Sequence, residues 1–280
     1  MSPVLKIAAA VLLVSLMLHV GMQVDRQRLR EVLTNYGLLL RALLANFVVV
    51  PLLGVLFVRL FHVRETIAIG ILLMAISPGG RGILLSGGSK KGGSLGFAIE
   101  LSFLLPAVSI VTIPFTAHLL LPQAEISTKT LYVVLGVFQL VPLLAGVFIN
   151  ERLPKLADAL RRPVIVVMFV ALLLVLVPLT PTLVRSIGTV YGSYGMLAMV
   201  AIVCCSMVTG WIFAGAGREY RRTAALGTAM RSFAFCALLA ARSFPGAEPV
   251  AAVCAYFIVQ LVVTSLVGVY FARTAAAVPA

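Results

Sequence analysis

Charge is what this sequence has little of. Charged residues make up 11% of its 280 positions, and only nine of them are acidic. A soluble globular chain carries roughly a quarter charged residues, so a surface that faces water over most of its extent is excluded. Cysteine is sparse too. Cys204, Cys205, Cys236 and Cys254 all lie in apolar runs with no CxxC spacing. They read as small packing residues, and no disulfide or metal site follows from them. His19, His62 and His118 are far apart in sequence and form no ligand-spaced pair. HExxH and GxGD-type motifs are missing, as is a Ser–His pair placed for nucleophilic catalysis. No enzyme chemistry is expected.

What is present is apolar. Hydrophobic residues account for 61% of the chain, and long runs recur from end to end. Hydropathy places nine spans at 4–23, 37–61, 66–88, 94–121, 128–150, 161–184, 193–216, 220–243 and 247–272. Each is long enough to cross a hydrocarbon core of ~30 Å. The first span is read as a retained helix, because no small-residue cleavage site follows it. The net charge of +13 sits in short clusters between the spans. It forms no basic stripe with interleaved aromatics, which excludes a nucleic-acid groove.

The distribution of that charge predicts a topology. With the N-terminus outside, the inner loops and helix ends carry Arg26, Arg28, Arg30, Arg41, Lys90, Lys91, Arg152, Lys155, Arg161, Arg162, Arg218, Arg221, Arg222 and Arg273. The outer set is Lys6, Arg59, Arg64, Lys129, Arg185 and Arg242. Fourteen against six follows the positive-inside rule and supports an odd number of spans. Tyrosines and the single tryptophan cluster near both boundaries, as interfacial aromatics do.

Two spans are interrupted. The third holds Ser77-Pro78-Gly79-Gly80-Arg81-Gly82 at its centre, where proline removes a backbone donor and glycine loosens the helix. The eighth holds Gly227-Thr228-Ala229-Met230-Arg231-Ser232. The two run in opposite directions, which suggests an inverted repeat with a site near the midplane. Non-helical backbone at that depth is tolerated only when protein buries it or a cavity solvates it. Three charged residues fall well inside spans: Arg81, Glu100 and Arg231. Each costs at least ~2.5–3.5 kcal/mol at a helix centre, so pairing or a polar cavity is expected. Glu100 is placed within reach of Arg81 or Arg231. One carboxylate leaves one guanidinium over, a charge that suits an anionic ligand gripped bidentately.

Three segments stand out in order. The first is Ser15 to Met22 with the basic stretch from Asp25 to Leu33. The second is Ser77-Pro78-Gly79-Gly80 with the Lys91-Gly92 exit, and the third is Arg222-Thr223 followed by Met230. On these segments rests a resemblance, along nearly the whole length of the chain, to the bile acid:sodium symporter (BASS) family. It implies an all-α polytopic membrane fold with two broken crossing helices. A core would comprise spans 37–121 and 193–272, and a panel spans 4–23 and 128–184, all within one domain over 1–280. It also implies organic anion substrates. Sodium-coupled members carry oxygen-bearing side chains at positions that fall here on Ile83, Leu84, Phe97, Leu101, Gly227, Arg231 and Asn46, and only Asn46 keeps one. Arg231 places a fixed cation where a mobile one would sit.

The expectation is therefore a secondary transporter of small organic anions in the cell membrane, working by alternating access and not sodium-coupled through the usual sites. The N-terminus would face outside and the C-terminus the cytoplasm. The anion would meet Arg81 and Arg231, with Asn46, Ser77, Ser102, Thr228 and Ser232 as polar neighbours. The backbone at Pro78, Gly79, Gly80 and Gly227 would line the crossing. Glu100 would balance charge or carry a proton. No metal or organic cofactor is expected. The other reading is a membrane sensor or partner subunit that keeps the fold and has lost transport.

Overall fold

A computed structural model describes residues 3–24, 36–80, 93–122, 126–192, 194–244 and 248–276. Every regular element among them is helical. This follows from the apolar runs, because in a bilayer a backbone must satisfy its own polar groups and a helix does so within one segment. The helices are α1 (Pro3–Gly21), α2 (Tyr36–Leu60), α3 (Glu65–Ile76), α4 (Leu95–Leu120), α5 (Thr128–Arg152), α6 (Pro154–Gly192), α7 (Gly195–Phe213), α8 (Arg218–Ala229), α9 (Phe233–Ser243) and α10 (Glu248–Ala276).

Eight of the nine expected spans are long and apolar enough to cross a membrane, with α8 and α9 together forming one of them. The third is a half-helix. Its 12 residues reach about 18 Å at the α-helical rise, and the stretch expected to complete it lies outside the described residues. The sixth differs in extent, running as one helix of 39 residues from Pro154. Proline at the first helical position is preset for that start.

Two helices contain a π-helical segment, Ala45–Val49 in α2 and Val133–Leu140 in α5. Each lies just ahead of a Val-Pro pair, Val50-Pro51 and Val141-Pro142. Proline has no N–H and its ring crowds the carbonyl four residues back, so the turn widens. Val50 N–H then reaches Ala45 O, and Val141 N–H reaches Gly136 O, both five residues back.

The packing sorts the helices by exposure. The eighth span, α8 with α9, has its whole most apolar 18-residue window buried inside the protein. In the first part of α6 the corresponding share is 17%. The first is wrapped by other helices, and the second presents its side chains to lipid. α8 packs on α7, α10 packs on α3 and α7, and α1 packs on α5, α6 and α9. Where α1 meets α5 the contact is backbone on backbone. A Cβ on Gly146 would fall 2.4 Å from Leu18 O and 2.9 Å from the Cα of Gly21. Small residues permit such close approach in membrane proteins, where dispersion rather than the hydrophobic effect holds helices together.

Candidate functional site

The two interrupted spans meet. α3 ends at Ile76, and Ser77 is extended at ψ 151 because the following proline disfavours the helical region for it. α8 ends at Ala229, Met230 is extended, and Ser232 caps the start of α9 by accepting from Phe235 N–H at 3.4 Å. The break in the eighth span thus lies three residues beyond Gly227, which stays within α8. Three contacts stitch the breaks together. Gly80 N–H donates to Gly227 O at 2.7 Å, Ser232 N–H to Ser77 Oγ at 3.2 Å, and Arg231 Nη1 to Ser77 O at 2.8 Å. Gly79 has no room for a side chain. A Cβ there would fall 2.5 Å from Gly227 O and 2.6 Å from Asn46 Oδ1. Gly80 has φ +92, in the region that favours glycine, and its carbonyl accepts from Ser102 Oγ at 2.8 Å.

Arg231 is 3% exposed, and its guanidinium is held by neutral oxygens. Besides Ser77 O, Nη1 reaches Asn46 O and Asn46 Oδ1, each at 3.4 Å, and Nη2 reaches Asn46 O at 3.5 Å. Proline explains why the Asn46 carbonyl is free to accept. In the π register its partner would be the N–H of residue 51, and residue 51 is Pro51. Ser77 follows the last turn of α3, and Met230 follows the last turn of α8. Both ends carry the partial negative charge of a helix C-terminus, the natural place for a cation. Gln260 of α10 clasps the backbone of Arg231, accepting from its N–H at 3.0 Å and donating to its carbonyl at 3.2 Å. The Asn46 amide donates to Ala42 O at 2.9 Å and to Thr228 Oγ1 at 3.4 Å.

On the other side of Asn46 and Thr228 lies a small void. Its remaining lining is Leu38, Ala42, Ala45, Phe97, Leu101, Gly210, Phe213, Ala214 and Ala224. It leaves about 10 Å³, the room of a single water molecule. Among these described residues, only Asn46 and Thr228 offer it polar side chains.

The pattern of the Sodium Bile acid symporter family matches residues 10–190 of this chain. The chain belongs to that family. The matched stretch contains Asn46, the first break and α4, and the second break lies beyond it. Among curated proteins, the P3 protein of Mus musculus is 29% identical over 159 residues, covering 55% of this chain and 33% of the relative. The P3 proteins of Bos taurus and Homo sapiens are each 30% identical over the same length. The chain spans about a third of the length of these relatives. Membership of a symporter family agrees with the many apolar spans.

Phe97 and Leu101 of α4 both line the void. Of the residues expected at the site, the crossing gathers Asn46, Ser77, Pro78, Gly79, Gly80, Ser102, Gly227, Thr228, Arg231 and Ser232. Glu100 is buried on α4, and the described partners of the Arg231 guanidinium are oxygens of Ser77 and Asn46; Arg81, the other arginine expected within reach of the carboxylate, lies outside the described residues. Sequence reading missed Gln260 and Tyr256. The signal for Gln260 was a lone amide in an otherwise apolar span, which is costly unless it is used.

Proposed function

We propose that this chain is a secondary transporter of small organic anions in which Arg231 replaces the charge of a coupling sodium ion. The observation that carries the reading is the seat of Arg231. Its guanidinium rests on the carbonyls of Ser77 and Asn46, at the converging ends of two half-helices. Unwound carbonyls and half-helix C-termini hold cations in crossing-helix transporters. A covalently attached cation there cannot leave with the substrate, so transport does not depend on sodium.

In this reading α1, α5 and α6 form a panel and the remaining helices a core that rocks against it, exposing the crossing to each side in turn. Asn46, Ser77, Ser102, Thr228 and Ser232 keep the crossing polar while Arg231 and Arg81 attract the anion. Glu100 balances charge or carries a proton. The protein lies in the cell membrane with its N-terminus outside.

The test is uptake of radiolabelled monocarboxylates by the purified protein in proteoliposomes. Uptake is expected in choline buffer as fast as in sodium buffer. Arg231→Gln should slow it at least about tenfold, since a bond to a charged group is worth roughly 1.5–3 kcal/mol. If a pH gradient accelerates uptake, Glu100→Gln should abolish that acceleration. Uptake that requires a sodium gradient and survives Arg231→Gln would sink the reading.

A further inference from the structure

Behind the crossing, two buried hydrogen-bond donors have no acceptor among the described residues. One is Nε of Arg231, and the other is the hydroxyl of Tyr256. Tyr256 is fully buried on α10, and the two groups lie within electrostatic reach of each other. Their proximity is built in. Tyr256 and Gln260 are four residues apart on one helix and so share a face. Gln260 clasps the Arg231 backbone on that face. The next residue, Phe257, stacks on Phe233 with ring centroids 4.3 Å apart. α10 is thereby held against residues 231–233 by two independent contacts, one and four residues beyond the tyrosine.

A buried donor without an acceptor costs free energy, and native proteins retain few of them. Here two belong to side chains within electrostatic reach of each other, and the described partners of the guanidinium are all neutral. The start of α9 adds the positive end of a helix dipole at the same place, since Ser232 is its cap. All of these features call for one thing, a negatively charged acceptor. We propose that Tyr256 Oη and Arg231 Nε are the donor pair that receives the carboxylate of a monoanionic substrate. This rests on the transporter reading above and names the group on the substrate that the site holds.

Charge sets the valence. Of the two donors only Arg231 is a cation, and it brings one positive charge to this buried place. One carboxylate neutralises it, while a dianion would bring an uncompensated charge to membrane depth. The donor pair is sealed from solvent in this conformation, so the anion reaches it when the helices part and is enclosed when they close.

The experiment measures binding and stability on the intact protein in detergent, without sodium. The probes are acetate, pyruvate and benzoate, with succinate and sulfate as dianions. Tyr256→Phe should weaken monocarboxylate binding about tenfold or more. In the ligand-free protein it should leave the melting temperature unchanged or raise it, because the hydroxyl it removes has no described partner there. A hydroxyl that only holds a water, or only packs, would leave the affinity unchanged, and that result overturns the proposal. A fall in ligand-free melting temperature also overturns it. So does binding of succinate as tight as that of the monoanions, or no binding of any monocarboxylate by the unmodified protein. Monocarboxylate binding that depends on Tyr256, without flux in proteoliposomes, would leave the anion site standing and remove only the transport reading.

Discussion

Arg231 illustrates how a single side chain can draw its environment from a residue that never touches it. Pro51 is not among the partners of Arg231, yet it decides that the carbonyl of Asn46 has no helical N–H to accept from. Pro51→Ala restores that N–H and lets α2 close over the carbonyl. The expected outcome is a loss of uptake of about tenfold with no drop in melting temperature, read by initial rates and thermal melts on the same preparation. Unchanged uptake would show that the Asn46 carbonyl is dispensable. At this scale the sequence was partly legible. An arginine inside an apolar run announces itself, because its cost demands a use. Tyr256 did not, since tyrosine in an apolar helix is ordinary. Only the fold shows that its hydroxyl has no described acceptor and that it faces residue 231. The seat of Arg231 was hidden for a related reason: carbonyl oxygens are invisible to a count of charges, and those of Ser77 and Asn46 hold its guanidinium.

At the scale of elements, the crossing depends on backbone approaching backbone. Gly79 is the tightest point, and the atom that an added methyl group would strike is Gly227 O, which no side-chain rotation can move. Gly79→Ala should cost about 1–3 kcal/mol and be visible as a lower melting temperature with lost uptake. A variant as stable as the parent would mean that the two breaks lie further apart than described. The first break was legible because Pro-Gly-Gly cannot continue a regular helix through mid-span. The second was read over Gly227 to Ser232, where glycine is the usual mark of a break, and the helix stops within that stretch, after Ala229. Here the interruption comes instead from Ser232 capping α9, at a point with no glycine or proline. The π-helical segments escaped sequence reading altogether. A proline within a helix announces a distortion, but whether the helix kinks or widens depends on its neighbours. In α5 the neighbours are evident. Gln139 donates to Pro106 O at 2.9 Å and to Ser109 Oγ at 2.8 Å on α4, while Phe138 lies under the guanidinium of Arg242 from α9 at 4.7 Å. Consecutive residues of the widened turn therefore hold two different helices, α4 and α9.

For the whole molecule, the all-helical, many-span architecture agrees with what apolar runs alone suggested, because in a membrane the length of a run and the need to satisfy the backbone leave few alternatives. The side each loop faces is a separate matter and rests on the uneven distribution of basic residues. In a protein with its four native cysteines replaced, Arg64→Cys should react with a membrane-impermeant maleimide on intact cells. Arg152→Cys should react only after permeabilisation. The reverse pattern would invert the proposed topology while leaving the crossing untouched. The proposed division into core and panel rests on the family resemblance alone, since nothing in a hydropathy profile says which spans pack together.

The bond between Gly80 and Gly227 has a consequence for how the chain is made. Spans enter the bilayer in order as they are synthesised, and the first break is exposed long before its partner exists. Until the eighth span arrives, the amide of Gly80 lacks the acceptor it has in the finished protein. Lipid cannot supply one. The half-built molecule therefore has to keep its third span at the membrane surface or under the shelter of the insertion machinery. A chain that stops short of Gly227 lacks the acceptor on which the first break closes.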